Sequence, residues 1–183
     1  MDLLETTAVA FGIVSVWLST RERMASWPTA IVNVALYFVV FRREKLYADM
    51  GLQVIYFLLS CYGWYEWQFG GANRTALAVT RTSRRQAAVL TGIGLVSAAA
   101  LGTLLARTTD AALPYLDSAL AVTSLCAQWM MTRKLVENWL VWVVADVVYV
   151  GMFATKGLWL TAGLYAVFLG LALSGYRSWL GSW

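Results

Sequence analysis

Four residues between positions 139 and 149 could do chemistry in an otherwise apolar chain. Trp139, Trp142, Asp146 and Tyr149 stand at i, i+3, i+7 and i+10, which is one face of an α-helix. Asp146 falls about midway along its apolar run. A carboxylate in hydrocarbon costs about 2.5–3.5 kcal/mol even on the gentler insertion scale, so it needs a partner or a watered cavity. No other apolar run places a Lys or Arg at comparable depth, which leaves a cationic ligand as the missing partner. Two indoles on the same face suit a flat aromatic cation, through stacking and cation–π attraction. The plainer alternative is an Asp hydrogen-bonded to a neighbouring helix, with tryptophans in the interfacial belt. Trp139 fits that alternative; Trp142, a turn deeper, fits it less well.

The surrounding composition says what must position these residues. Of 183 residues, 60% are hydrophobic and 13% charged, whereas a soluble domain carries roughly 45–50% apolar and about 25% charged residues. Seven spans of about 20 residues would use about 140 positions and leave short loops. The chain therefore reads as a single transmembrane domain over residues 1–183. It has no histidine, which removes His-based metal sites, Ser-His and Cys-His catalysis and imidazole relays. Cys61 and Cys126 lie inside apolar runs and read as packing residues. The acidic start, Met1-Asp2-Leu3-Leu4-Glu5, lacks the basic region of a cleavable signal, so the first span is expected to stay. No metal or cofactor is called for, and the excess of basic residues reports orientation rather than a nucleic-acid partner.

Apolar stretches bounded by charge run from about Leu4 to Ser19, Trp27 to Phe41, Ala48 to Phe69, Gln86 to Ala106, Ser118 to Met131, Trp139 to Phe153 and Leu158 to Trp179. Loops alternate in charge. Arg42, Arg43, Lys45, Arg107 and Lys156 fall on the side of the N-terminus. Arg21, Arg23, Arg74, Arg81, Arg84, Arg85, Arg133, Lys134 and Arg177 fall on the other. The positive-inside rule puts the N-terminus outside and the C-terminus in the cytoplasm, with Arg74 to Arg85 as a topogenic cytoplasmic loop.

Residues 17–67 laid over 129–179 without a gap pair Trp17 with Trp129, Thr20 with Thr132, Arg21 with Arg133, Trp27 with Trp139 and Tyr37 with Tyr149. The same overlay pairs Phe41 with Phe153, Gly51 with Gly163, Gly63 with Gly175 and Trp67 with Trp179. About a quarter of positions are identical, and coincidence of scarce residues such as Trp marks a true repeat. Three spans (4–69), a linker span (86–106) and three more (118–179) follow. The odd linker makes the triplets parallel, a recurrent transporter design with substrate near the midplane where the repeats meet.

Other polar groups face that axis. The second span places Trp27, Ala30, Asn33 and Tyr37 at helical spacing, and Asn33 sits one position out of register with Asp146. The third carries Asp49, Gln53, Tyr56, Ser60 and Trp64, a stripe too polar for lipid. Gln53 pairs with Tyr165 in the repeat, and the fifth span adds Ser124 and Gln128. Each alone reads as interhelical glue; together they describe a polar passage.

With the segment from Glu137 to Asp146, similar to the motif Trp-x-x-Trp-x-x-x-Asn/Asp, the chain resembles the PnuC family of vitamin transporters. Tyr47-Ala48-Asp49 through Gln53 and Gly175-Tyr176-Arg177-Ser178-Trp179 add to the resemblance, which covers nearly the whole chain. It implies a fold like an enlarged SWEET transporter in the bacterial inner membrane, assembled as a homotrimer. It also implies facilitated diffusion of nicotinamide riboside, with phosphorylation by a cytoplasmic kinase trapping the product. By carry-over, Trp139, Trp142 and Asp146 would contact substrate, with Gln53 and its neighbours as weaker candidates. One departure matters: nicotinamide riboside transporters commonly have Asn where this chain has Asp146. Asn both donates and accepts, whereas an ionised Asp only accepts, so thiamine and riboflavin stay open as substrates.

Rival classes fare worse. A retinal photoreceptor needs a lysine midway along the last span, and none is there. An enzyme needs a nucleophile with its base, or metal carboxylates, which the spans do not supply. An ion-coupled transporter stays open, because Asp146 could take up a proton, although no chain of ionisable groups is visible to carry it across.

Overall fold

The computed structural model describes residues 3–43, 47–109 and 113–182, which hold seven α-helices. Met1, Asp2 and Lys45, which entered the charge reading, lie outside them. The helices are α1 Leu3–Thr20, α2 Ser26–Arg43, α3 Tyr47–Phe69, α4 Arg84–Thr108, α5 Pro114–Thr132, α6 Asn138–Thr155 and α7 Trp159–Ser182. Each coincides with an expected span. The largest difference is at α5, which starts at Pro114 rather than Ser118 because proline, with its fixed φ and absent N–H, opens the first turn. Helix α4 starts two residues early because Ser83 and Gln86 form a reciprocal capping box.

Four helices, α1, α4, α6 and α7, are long and apolar enough to cross a bilayer by length and composition. Helices α2, α3 and α5 are long enough but more polar, carrying Asn33, Gln53, Ser124 and Gln128. Apolar surface dominates the outside of the bundle. Helix α4 is nearly all exposed, presenting Val89, Ile93, Leu95 and Val96, and packs mainly on α5. Gly102 permits that packing: the ring of Tyr115 occupies the space a side chain would need.

The tightest packing sits at the end of the bundle where α1, α3, α5 and α7 finish. Trp27, Trp67, Trp139 and Trp179 are buried there, edge to face, with ring centroids 5.1 Å apart for Trp27–Trp67, 5.7 Å for Trp67–Trp179 and 5.4 Å for Trp139–Trp179. Contacts come in pairs at the same offset of 112 positions as the sequence overlay. The indole N–H of Trp67 donates to the Met131 carbonyl at 3.0 Å, and that of Trp179 donates to the Ser19 carbonyl at 3.0 Å. Glu22 and Lys134 both take left-handed backbone conformations, φ 54° and 50°, at the α1–α2 and α5–α6 corners. Their side chains join to each other at 2.9 Å. Helix α1 packs on α7, and α5 packs on α3.

Two glycines make room for the tryptophans. A Cβ on Gly175 would meet the Trp139 ring at 2.5–2.7 Å, and one on Gly63 would press as hard on Trp27. Gly175→Ala is therefore expected to destabilise the protein by about 1–3 kcal/mol, the usual cost of overpacking. Gly170, with open space around it, is the control: Gly170→Ala should leave thermal unfolding in detergent unchanged or slightly improved.

Candidate functional site

Between the tryptophan cluster and the opposite end of the bundle lies a cavity of about 1310 Å³. Six helices line it; among the described residues α4 contributes none. The end away from the tryptophan cluster carries Glu5, Asp49, Asp117 and Lys156, and the end at the cluster reaches Ser19, Ser26 and Met131. All ten residues singled out from the sequence line this one space: Asn33, Tyr37, Gln53, Tyr56, Gln128, Trp139, Trp142, Asp146, Tyr149 and Tyr165.

They are not equivalent in it. Asp146 is 3% exposed, and among the described residues no hydrogen bond or ion pair reaches its carboxylate. Among the described residues, Lys156 is the sole basic one in the cavity lining, and it sits past the last turn of α6. Trp142 is half-buried, and its indole stacks on no other described ring. Trp139, by contrast, is 1% exposed and wedged between Trp179 and Gly175. It belongs to the cavity floor rather than to an interfacial belt, and its indole N–H has no acceptor among the described residues. Trp27, its counterpart across the sequence overlay, shows the same burial and the same unpaired N–H.

Tyrosines form the upper wall. Tyr149 and Tyr165 stack at 4.4 Å, Phe153 continues the stack against Tyr165 at 5.4 Å, and Tyr37 stacks on Phe41 at 5.5 Å. Tyr56, Tyr149 and the buried Ser124 bring hydroxyls from α3, α6 and α5 to the same cavity. Asn33 is partly committed to architecture, because its amide donates to the Ala8 carbonyl at 2.7 Å. Phe153 in the lining, and Trp67 and Trp179 packed in the cluster behind it, are not among the site residues expected from sequence. The overlay of Phe41 on Phe153 and of Trp67 on Trp179 is the signal that points to them.

This arrangement holds, among the described residues, no cluster able to bind a metal ion. It has aromatic faces, hydroxyl and amide groups, and one buried carboxylate without a partner. The family described as nicotinamide mononucleotide transporter matches the chain over residues 2–181. The chain belongs to that family. It is a member of a transporter family, not an enzyme, and a multi-pass membrane protein.

Among its relatives, the nicotinamide riboside transporter PnuC of Escherichia coli is 28% identical over 207 aligned residues, covering all of this chain and 87% of that protein. The riboflavin/roseoflavin transporter RibM of Streptomyces davaonensis is 26% identical, covering 92% of this chain and 80% of its own length. A crystal structure of the vitamin B3 transporter PnuC superposes with a TM-score of 0.75 at 23% identity, over 97% of this chain and 80% of that one. The fold is therefore that of PnuC.

Proposed function

We propose that this PnuC-family member carries nicotinamide riboside through the bacterial inner membrane by facilitated diffusion, with phosphorylation by a cytoplasmic kinase trapping the product. The observation that carries the proposal is Asp146, a buried carboxylate without a partner, on the same helix face as the open indole of Trp142. A pyridinium nucleoside supplies what both lack: a flat cationic face for the indole, and a carboxamide N–H that an acceptor oxygen at position 146 can take. The lining favours a nucleoside over its phosphorylated form. Among the described residues it holds Glu5, Asp49, Asp117 and Asp146 against Lys156, with no arginine to receive a phosphate. The PnuC relatives are transporters of the same nucleoside.

The same reading makes the chain one transmembrane domain of two parallel three-helix units, α1–α3 and α5–α7, joined by α4 in a 3+1+3, SWEET-like arrangement. The paired contacts at a 112-residue offset support it. All seven helices then cross the bilayer; α2, α3 and α5 turn their polar residues to the cavity, which is why hydropathy alone does not mark them. The basic loops put the tryptophan floor on the cytoplasmic side and the cavity mouth outside. The exposed apolar face of α4 meets lipid or the neighbours of a homotrimer. Thiamine is the second substrate reading: it too is a flat cation, and Asp146 is the acceptor its amino group would want.

Liposomes with purified protein should equilibrate nicotinamide riboside without any ion gradient and concentrate it only when a kinase and ATP are enclosed. Uptake above equilibrium driven by a proton or sodium gradient alone would replace uniport by ion coupling. Trp142→Ala should weaken uptake about tenfold, roughly the 1–2 kcal/mol of a desolvated cation–π contact.

A further inference from the structure

The two corners at the inner end of the bundle are held very differently, although the 112-residue overlay makes them counterparts. The α5–α6 corner, residues 133–137, is clamped by the segment between α3 and α4. Thr80 N–H donates to the Lys134 carbonyl at 3.0 Å and Val136 N–H donates to the Thr80 carbonyl at 2.9 Å. The backbone N–H and the hydroxyl of Thr82 both donate to the Glu137 carboxylate at 2.8 Å. Val79 is buried among the floor tryptophans, Leu77 packs beside it, and the Leu77 N–H donates to the Trp67 carbonyl at 3.0 Å. Arg133 adds an ion pair to Glu66 of α3 at 2.7 Å and a bond to the Tyr62 hydroxyl at 3.2 Å.

The α1–α2 corner, residues 21–25, has no such strap among the described residues. Arg21, the counterpart of Arg133, lies over Trp17 of its own helix at 5.1 Å. Among the described residues, the polar ties from this corner and the end of α1 to the second half include the Glu22–Lys134 ion pair and the Trp179 bond to Ser19. Lys134 is itself fixed, since its ammonium sits over the Trp67 ring at 4.7 Å.

From this asymmetry we infer that the inner end opens by swinging the α1–α2 corner away from a strapped, stationary α5–α6 corner, with Glu22–Lys134 as the latch. The segment 70–83 is then a clamp that chooses which half moves, in addition to a basic loop that fixes orientation. Opening on the α1–α2 side separates Glu22 from Lys134 and Ser19 from Trp179. Opening on the other side would break the bridge at Thr80, both bonds to Glu137 and the Arg133–Glu66 pair as well. The open state that keeps the strap intact therefore has the lower free energy and the larger population.

Spin labels on exposed positions test this without any substrate, so the result is independent of which vitamin is carried. In a background with Cys61→Ala and Cys126→Ala, one labelled pair is Ala25→Cys with Arg85→Cys, and the other is Leu140→Cys with Arg85→Cys. Pulsed dipolar distances are measured on full-length protein in liposomes, with and without Glu22→Gln. The Ala25–Arg85 pair should show a second, longer-distance population whose ratio to the closed one grows about fivefold in Glu22→Gln, as loss of one part-buried ion pair implies. The Leu140–Arg85 pair should keep one narrow population in both backgrounds. A second population in the Leu140–Arg85 pair, or a Glu22→Gln protein whose Ala25–Arg85 distances do not change, would overturn the inference.

Discussion

Asp146→Asn is expected to make the ligand-free protein more stable than wild type. The carboxylate is buried in a membrane-spanning bundle with no described partner, so it is held at a cost that a neutral amide of the same size avoids. A gain of about 1–3 kcal/mol is the expected scale, read as a higher unfolding temperature in detergent. Asp146→Ala should also be more stable than wild type when empty, by less, because it leaves a void. Binding should separate the two variants. Asp146→Ala should lose nicotinamide riboside affinity by about tenfold or more, equivalent to about 1.4 kcal/mol. Asp146→Asn should retain it within a few-fold, since the amide donates to and accepts from a carboxamide as it gives up the charge. A lower ligand-free stability in both variants would mean that the carboxylate holds the bundle together, and its role toward a ligand would fall.

The second large effect lies at the floor. Trp179 is fully buried, meets Trp67 and Trp139 edge to face, and donates its indole N–H to the Ser19 carbonyl. Trp179→Ala removes a fully buried indole at the meeting point of α1, α6 and α7 and leaves a buried carbonyl short of a donor. The expected loss is about 3–5 kcal/mol. Trp179→Phe should recover most of the packing but not the hydrogen bond, for a loss of about 1–2 kcal/mol. Leu95→Ala, on the exposed face of α4, should change detergent stability little. If Trp179→Ala melts with the wild type, the tryptophan cluster is not what closes that end of the bundle.

Helix positions are legible in the sequence because charges punctuate the apolar runs, and the end of each run is a physical boundary. The start of α5 is less so: hydropathy begins the span at Ser118, while the ring of Pro114 favours a first helical turn four residues earlier. The cavity residues are legible for a related reason. A polar side chain inside an apolar run must face something other than lipid, and Asn33, Gln53, Gln128 and Asp146 all do. What a side chain touches is harder to read. Trp139 and Trp142 share a helix face, yet one packs into the floor and the other faces the open cavity. That difference is set by Gly175 and Trp179 on α7, far away in sequence. The strap is hidden for another reason. In the segment 70–83 the arginines dominate the reading, while its grip depends on Leu77, Val79 and backbone bonds at Thr80.

Calorimetric titration of the detergent-purified protein with nicotinamide riboside, thiamine and riboflavin, repeated on Asp146→Asn, tests the central claim most directly. Nicotinamide riboside should bind wild type, and Asp146→Asn should preserve or improve that binding. Thiamine binding that Asp146→Asn abolishes, with no heat from nicotinamide riboside, would contradict the assignment and make Asp146 the recognition group for an aminopyrimidine. Silence toward all three would leave the fold and refute the substrate.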